Sequence, residues 1–119
     1  MSGRIVTTAA ATFPDIFVVN ASIYGVGIVT AQDDSPHLGV EDIKGEMYFG
    51  FAETDGTVPS YVTPTLTAAL NEHRIDYTLD IHPGTERGFC FPLRDVYNKA
   101  AAEKVHARFM DMCARRLHA

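Results

Sequence analysis

The side chains best able to do chemistry in this sequence gather at two places. One is "ETDGTVP", residues 53 to 59, with the carboxylates of Glu53 and Asp55 ahead of a Gly-Thr turn. The other is "HPGTERGFCFP", residues 82 to 92, where His82, Glu86, Arg87 and Cys90 surround a Pro83-Gly84 turn. A carboxylate at a strand end can orient and charge-stabilise a histidine in a nucleophile–histidine–acid triad. Asp55 is the candidate acid on that reading, although an aspartate before Gly-Thr is more often a plain turn former. Glu53 can take the acid role instead, or pair with Arg87. Arg87 itself cannot be a general base, because it keeps its proton near neutral pH.

The remaining reactive residues are scattered. There are five histidines: His37, His73, His82, His106 and His118. The last two and His73 fall at or near predicted helix ends and read as solvated. His37, in "DSPHLG", lies in a loop able to face the site, and His82 is the imidazole nearest Arg87. No pair has the i, i+4 spacing of a helical metal site, so neither a metal nor a cofactor is expected. Ser2, Ser22, Ser35 and Ser60 all lie outside a G-x-S-x-G elbow, the strand-to-helix turn that exposes a nucleophile. Cys90 and Cys113 lack that context too. On residues alone, a complete hydrolase triad is missing.

The elements that must position these residues alternate. "RIVTTAAATF" predicts a helix over Ser2 to Phe13, stopped by Pro14. "DIFVVNASIY", Asp15 to Tyr24, is an apolar, β-branched run suited to a strand buried on both faces. Residues 30 to 44 read as loop with one helical turn. Gly45 to Phe51 gives a second strand, Ser60 to His73 a helix with Pro64 in its first part, and Ile75 to Ile81 a third strand. Asp95 to Leu117 is a long helix, with Val96, Ala100, Val105, Phe109, Met112 and Cys113 on its inner side. This order predicts an α/β fold of three layers, a parallel sheet with flanking helices. In such a sheet the site lies beyond the carboxyl ends of the strands. That selects Tyr24-Gly25, Ala52 to Pro59, and His82 to Pro92. Three strands are few for a parallel sheet.

Composition narrows the partners. A chain of 119 residues, 46% hydrophobic and 21% charged, makes one domain with a core. The net charge of -5 argues against a nucleic-acid partner, which needs a basic face. Lys104, Arg108, Arg115 and Arg116 cluster on the last helix, where the helix dipole favours cations. Two cysteines at no metal-like spacing suit a cytoplasmic protein with free thiols. No apolar run reaches the ~18 residues of a membrane span, so no membrane partner is expected.

"SIYGVGIVTAQDDSPH", "GEMYFGFAETDGTVP" and "HPGTERGFCFPLRDVYNKAAAEKVHARFMDMCARRL" together resemble the C-terminal half of the dienelactone hydrolase family of α/β hydrolases. The resemblance runs from Met1 to Leu117 and implies a partial α/β-hydrolase fold of about three strands and three helices over residues 1–119. It implies ester or lactone hydrolysis as the activity of the lineage. Carried over, the family acid falls on Asp55 and the family histidine on Arg87. Met1-Ser2-Gly3 matches the tail of the nucleophile elbow, which puts the nucleophile just before Met1. Met1, Tyr24, Glu53, His37, His82 and Phe89 are then candidate site-lining residues. With arginine at the histidine position and no nucleophile, the chain is expected to be inactive alone. The alternatives are a non-catalytic module that self-associates or binds a small molecule such as an ester or lactone, and a fragment completed by a partner. The strand at Ile16 to Ala21 has no lysine, proline or charge to blunt an edge, so a homodimer is expected.

Overall fold

The computed structural model describes residues 2 to 117. In chain order it has α1 (Ser2–Thr12), β1 (Val19–Ile23), a 3-10 helix (Pro36–Asp42), β2 (Glu46–Thr54), α2 (Val62–Glu72), β3 (Tyr77–Glu86) and α3 (Lys99–Arg116). The strands are parallel in the order β1-β2-β3. β2, in the middle, is buried from Glu46 to Ala52. Because successive strand side chains point to opposite faces, β2 feeds two cores. Met47, Phe49 and Phe51 pack with Ala10 of α1 and with Val62, Leu66 and Leu70 of α2. Tyr48 and Ala52 pack with Phe89 and with Val105 and Met112 of α3. The result is the three-layer α/β arrangement that the sequence predicts.

Several boundaries differ from the sequence reading, each for a local reason. β1 begins at Val19 instead of Asp15. The amides of Ile16 and Phe17 both donate to the Phe13 carbonyl, so the chain turns back after α1 and the strand cannot start. Nor is β1 buried on both faces. Asn20 and Ser22 are buried, while Val19, Ala21 and Ile23 are only half covered, because β1 is an edge strand. α3 starts at Lys99, four residues late. Asn98 is extended, and its side chain accepts the Ala101 amide at 3.1 Å as an N-cap. The buried side of α3 is Ala102, Val105 and Met112, whereas Ala100 and Phe109 are exposed. Pro64 sits in the first turn of α2, where its missing N–H has no partner to lose.

Two contacts fix the ends of the layers. Gly3 in the first turn of α1 meets Gly25 just after β1, and a Cβ on Gly3 would stand 2.6 Å from the Gly25 Cα. At the other end of the sheet, Arg115 and Arg116 of α3 reach Glu46 with contacts of 2.8 to 3.0 Å, and Arg116 also pairs with Asp76. Glu46 is nearly buried. The arginine bonds outweigh the cost of burial and hold its carboxyl below the ordinary range. These arginines therefore clasp α3 to the sheet as well as complementing its dipole.

Candidate functional site

The carboxyl ends of β2 and β3 carry the cluster around Arg87. After β2 the chain turns at Asp55, whose Oδ1 accepts the Thr57 amide at 2.9 Å and the Thr57 hydroxyl at 2.6 Å. β3 runs on to Glu86 through an irregular stretch. There the Thr85 hydroxyl donates to the His82 carbonyl at 2.7 Å and accepts the Glu53 amide at 3.2 Å. The Arg87 amide then donates to the Thr54 carbonyl, which joins the two strand ends. Gly88 follows at φ +93°, and a Cβ there would also press the Arg94 guanidinium at 2.9 Å, so the turn after Arg87 needs glycine.

Arg87 is thereby aimed across the sheet ends. Its Nη1 donates to the Tyr24 carbonyl at 2.5 Å and to Asp55 Oδ2 at 3.1 Å, with the Thr57 hydroxyl at 3.4 Å. The guanidinium carbon stands 5.6 Å from the centre of the Tyr24 ring. Asp55 has only 4% of its side chain exposed against 37% for Arg87. Burial alone would raise the Asp55 carboxyl, but the two bonds from Thr57 and the Arg87 cation overcome it and hold it below its usual range. The pair is an ionised, mutually neutralised contact with no group that can take up a proton near neutral pH.

The other residues singled out by sequence lie in different surroundings. Glu53 accepts the Gly84 amide at 3.0 Å, so its carboxylate is occupied by the turn and not by Arg87. His37 is hydrogen-bonded to Ser35 Oγ at 2.6 Å, and Ser35 Oγ also receives the Thr30 amide. Ser35 is buried, so this serine–histidine contact pins the loop before the 3-10 helix and offers no open nucleophile. His82 is buried with its ring 5.3 Å from that of Phe89. Its Nε2 lies 3.2 Å from the Tyr48 hydroxyl, which lies 3.1 Å from Asp80 Oδ2, and Asp80 in turn accepts Arg108 Nε at 3.0 Å. A carboxylate only accepts, so Tyr48 donates to Asp80 and His82 Nε2 carries a proton that it donates to Tyr48. Burial pushes His82 down toward the neutral form and pushes Tyr48 up. Of the remaining histidines, His73 caps the end of α2 and His106 is exposed in the middle of α3, not at its end. Met1 and His118 lie outside the described residues.

Tyr24 and Phe89 do meet, edge to face at 5.4 Å, with Phe89 fully buried. Among the described residues, Tyr24 is one of two non-glycine residues at positive φ, +37°. Beside it an apolar slot of about 680 Å³ runs along β1, lined by Val6, Ile23, Tyr24, Cys90, Phe91 and Phe109 among others. Burial pushes the Cys90 thiol up, away from a reactive thiolate. Among the described residues no group of three or more histidine, cysteine or acidic side chains is placed to hold a metal ion. Sequence reasoning missed Tyr48 and Asp80. The alternation of β2 and β3 could have placed them on one face, but not shown that their side chains meet.

The family model for dienelactone hydrolases matches residues 1–117. The chain belongs to the dienelactone hydrolase family. A Synechocystis protein provisionally named carboxymethylenebutenolidase is 29% identical over 85 residues, covering 69% of this chain and 35% of that protein. A Klebsiella pneumoniae protein provisionally assigned as a dienelactone hydrolase superposes with a TM-score of 0.83 at 20% identity, over 95% of this chain and 48% of that one. The dienelactone hydrolase-like promiscuous phosphotriesterase P91, from metagenomic libraries, superposes with a TM-score of 0.79 at 12% identity, over 96% and 48%. These superpositions show the α/β-hydrolase fold. The chain spans about a third of the length of the Synechocystis relative and about half that of each of the two solved structures.

Proposed function

We propose that this chain is a catalytically silent member of the dienelactone hydrolase family, from a lineage that hydrolyses carboxylic esters or lactones. One observation carries the reading. At the strand ends where the resemblance places the histidine, Arg87 is bonded to Asp55 through a permanently charged nitrogen. Hydrolysis by a serine or cysteine needs a base that accepts the nucleophile's proton and returns it to the leaving group. Arg87 can do neither. Among the described residues, no serine or cysteine side chain is hydrogen-bonded to Arg87 or Asp55, and both cysteines are free thiols, which suits a reducing, cytoplasmic setting. The name of the Synechocystis relative supports the lactone class for the lineage. The test is hydrolysis of an activated aryl ester by the purified chain and by Arg87→His. The expected result is no turnover above a buffer control for either. Turnover by the unaltered chain that vanishes with Asp55→Ala would overturn the reading.

A further inference from the structure

The apolar slot beside β1 has the form of a place for one more strand. We infer that it is filled by a second copy of this chain, with the two β1 strands pairing antiparallel across a two-fold axis at Ala21. The backbone directions carry the argument. The Val18 carbonyl accepts the Glu46 amide and the Tyr24 amide donates to the Gly50 carbonyl, so the even-numbered residues of this stretch bond to β2. In a parallel pair both backbone groups of a residue point to the same neighbour, and alternate residues point the other way. Val19, Ala21 and Ile23 therefore present their N–H and C=O groups to the open edge.

That edge is complementary to itself. With the axis at Ala21, each Ala21 exchanges both bonds with its partner, and Val19 does the same with the partner's Ile23. Every outward donor and acceptor of the strand is then used. The side chains agree: Ala21 meets Ala21, Val19 meets Ile23, and Asn20 meets Ser22. No charge, lysine or proline on β1 opposes the approach. The flanking helices leave apolar side chains along the slot, Val6 of α1 and Phe109 of α3, the latter 39% exposed.

The amount of surface also fits. The molecule is flat, 40 × 37 × 20 Å, and exposes 6988 Å². A compact monomer of 13.1 kDa exposes roughly 6,400 Å². The excess of about 600 Å² approaches the ~800 Å² that each partner buries in a standard interface. An isologous pair joins the two sheets into one and closes without further growth.

The test is sedimentation at micromolar concentration together with backbone amide exchange. The expected result is a mass twice 13.1 kDa, with the amides of Val19, Ala21 and Ile23 protected and that protection lost on dilution. Ala21→Lys sets two ammonium groups face to face at the axis and should weaken the dimer roughly tenfold or more while leaving the circular dichroism of the monomer intact. The exchange measurement on the unaltered chain decides the matter if that variant fails to fold. A folded monomer, a dimer whose β1 amides exchange freely, or growth beyond two copies would each overturn the inference. So would a chain that stays single until a polypeptide bearing the other half of the family fold is added.

Discussion

Replacing Arg87 with methionine keeps most of the side-chain stem and removes the guanidinium. Asp55 keeps its two bonds from Thr57 and loses the Arg87 charge beside it, and the Tyr24 carbonyl loses a donor. Removing one member of a fully buried ion pair costs about 3–5 kcal/mol, while an exposed pair is worth about 0–1 kcal/mol. With Asp55 4% and Arg87 37% exposed, this pair lies between those limits, and the Thr57 bonds soften the loss. The cost should be about 2 kcal/mol, or roughly 8 °C in Tm for a chain of this size. Urea unfolding of the unaltered chain, Arg87→Met, Asp55→Asn and the double variant, all at one protein concentration, measures it. The double-variant cycle should return a coupling of about 1–2 kcal/mol. The acid limb gives a second reading. The Asp55 carboxyl is held below its unfolded value near ~4, so it contributes stability above that value and loses it as pH falls through the folded one. Arg87→Met should move that loss to higher pH. An Arg87→Met chain within about 0.5 kcal/mol of the original, with no coupling to Asp55, would refute the reasoning.

Two further outcomes follow from the packing. Gly3→Ala sets a Cβ 2.6 Å from the Gly25 Cα and 2.9 Å from Ser22 Oγ. Since backbone must move, it should cost at least ~1–3 kcal/mol in the same urea titration, and a neutral result would show that α1 sits elsewhere. His82 is held neutral by burial, so below its unfolded value near ~6.5 the unfolded chain binds a proton that the folded chain refuses. Stability should therefore fall as pH drops through that value. His82→Gln should flatten that limb, and an unchanged slope would assign it to another group.

The layers of the fold were legible because each helix and strand carries its own period. The strongest case is β2, where every side chain from Glu46 to Ala52 is covered. The edges were not legible, because burial there depends on which neighbour is present. The run from Ile16 to Ala21 has the composition of a central strand, yet its first residues turn with Phe13 and the rest forms an edge. The resemblance set Asp55 and Arg87 on neighbouring loops, and their side chains do meet. The occupation of Glu53 by the Gly84 amide could not, since it depends on the irregular end of β3. His82 misled for a similar reason. Its closeness to Arg87 in sequence says nothing about the face of the strand from which its ring reaches Tyr48.

The contact between Gly3 and Gly25 has a consequence for heredity. A clash between side chains can be relieved by trimming either partner, so such pairs drift together through many small steps. Here the obstruction to any larger residue at Gly3 includes the backbone of Gly25, and a Cβ at Gly25 would likewise stand 2.6 Å from the Gly3 Cα. No single exchange at one site makes room for the other, and even both together would require α1 to lift from the end of β1. The lineage should therefore keep both glycines through changes that erase other features of the sequence. Their joint loss in a descendant would mark a molecule in which this helix had taken a new seat on the sheet.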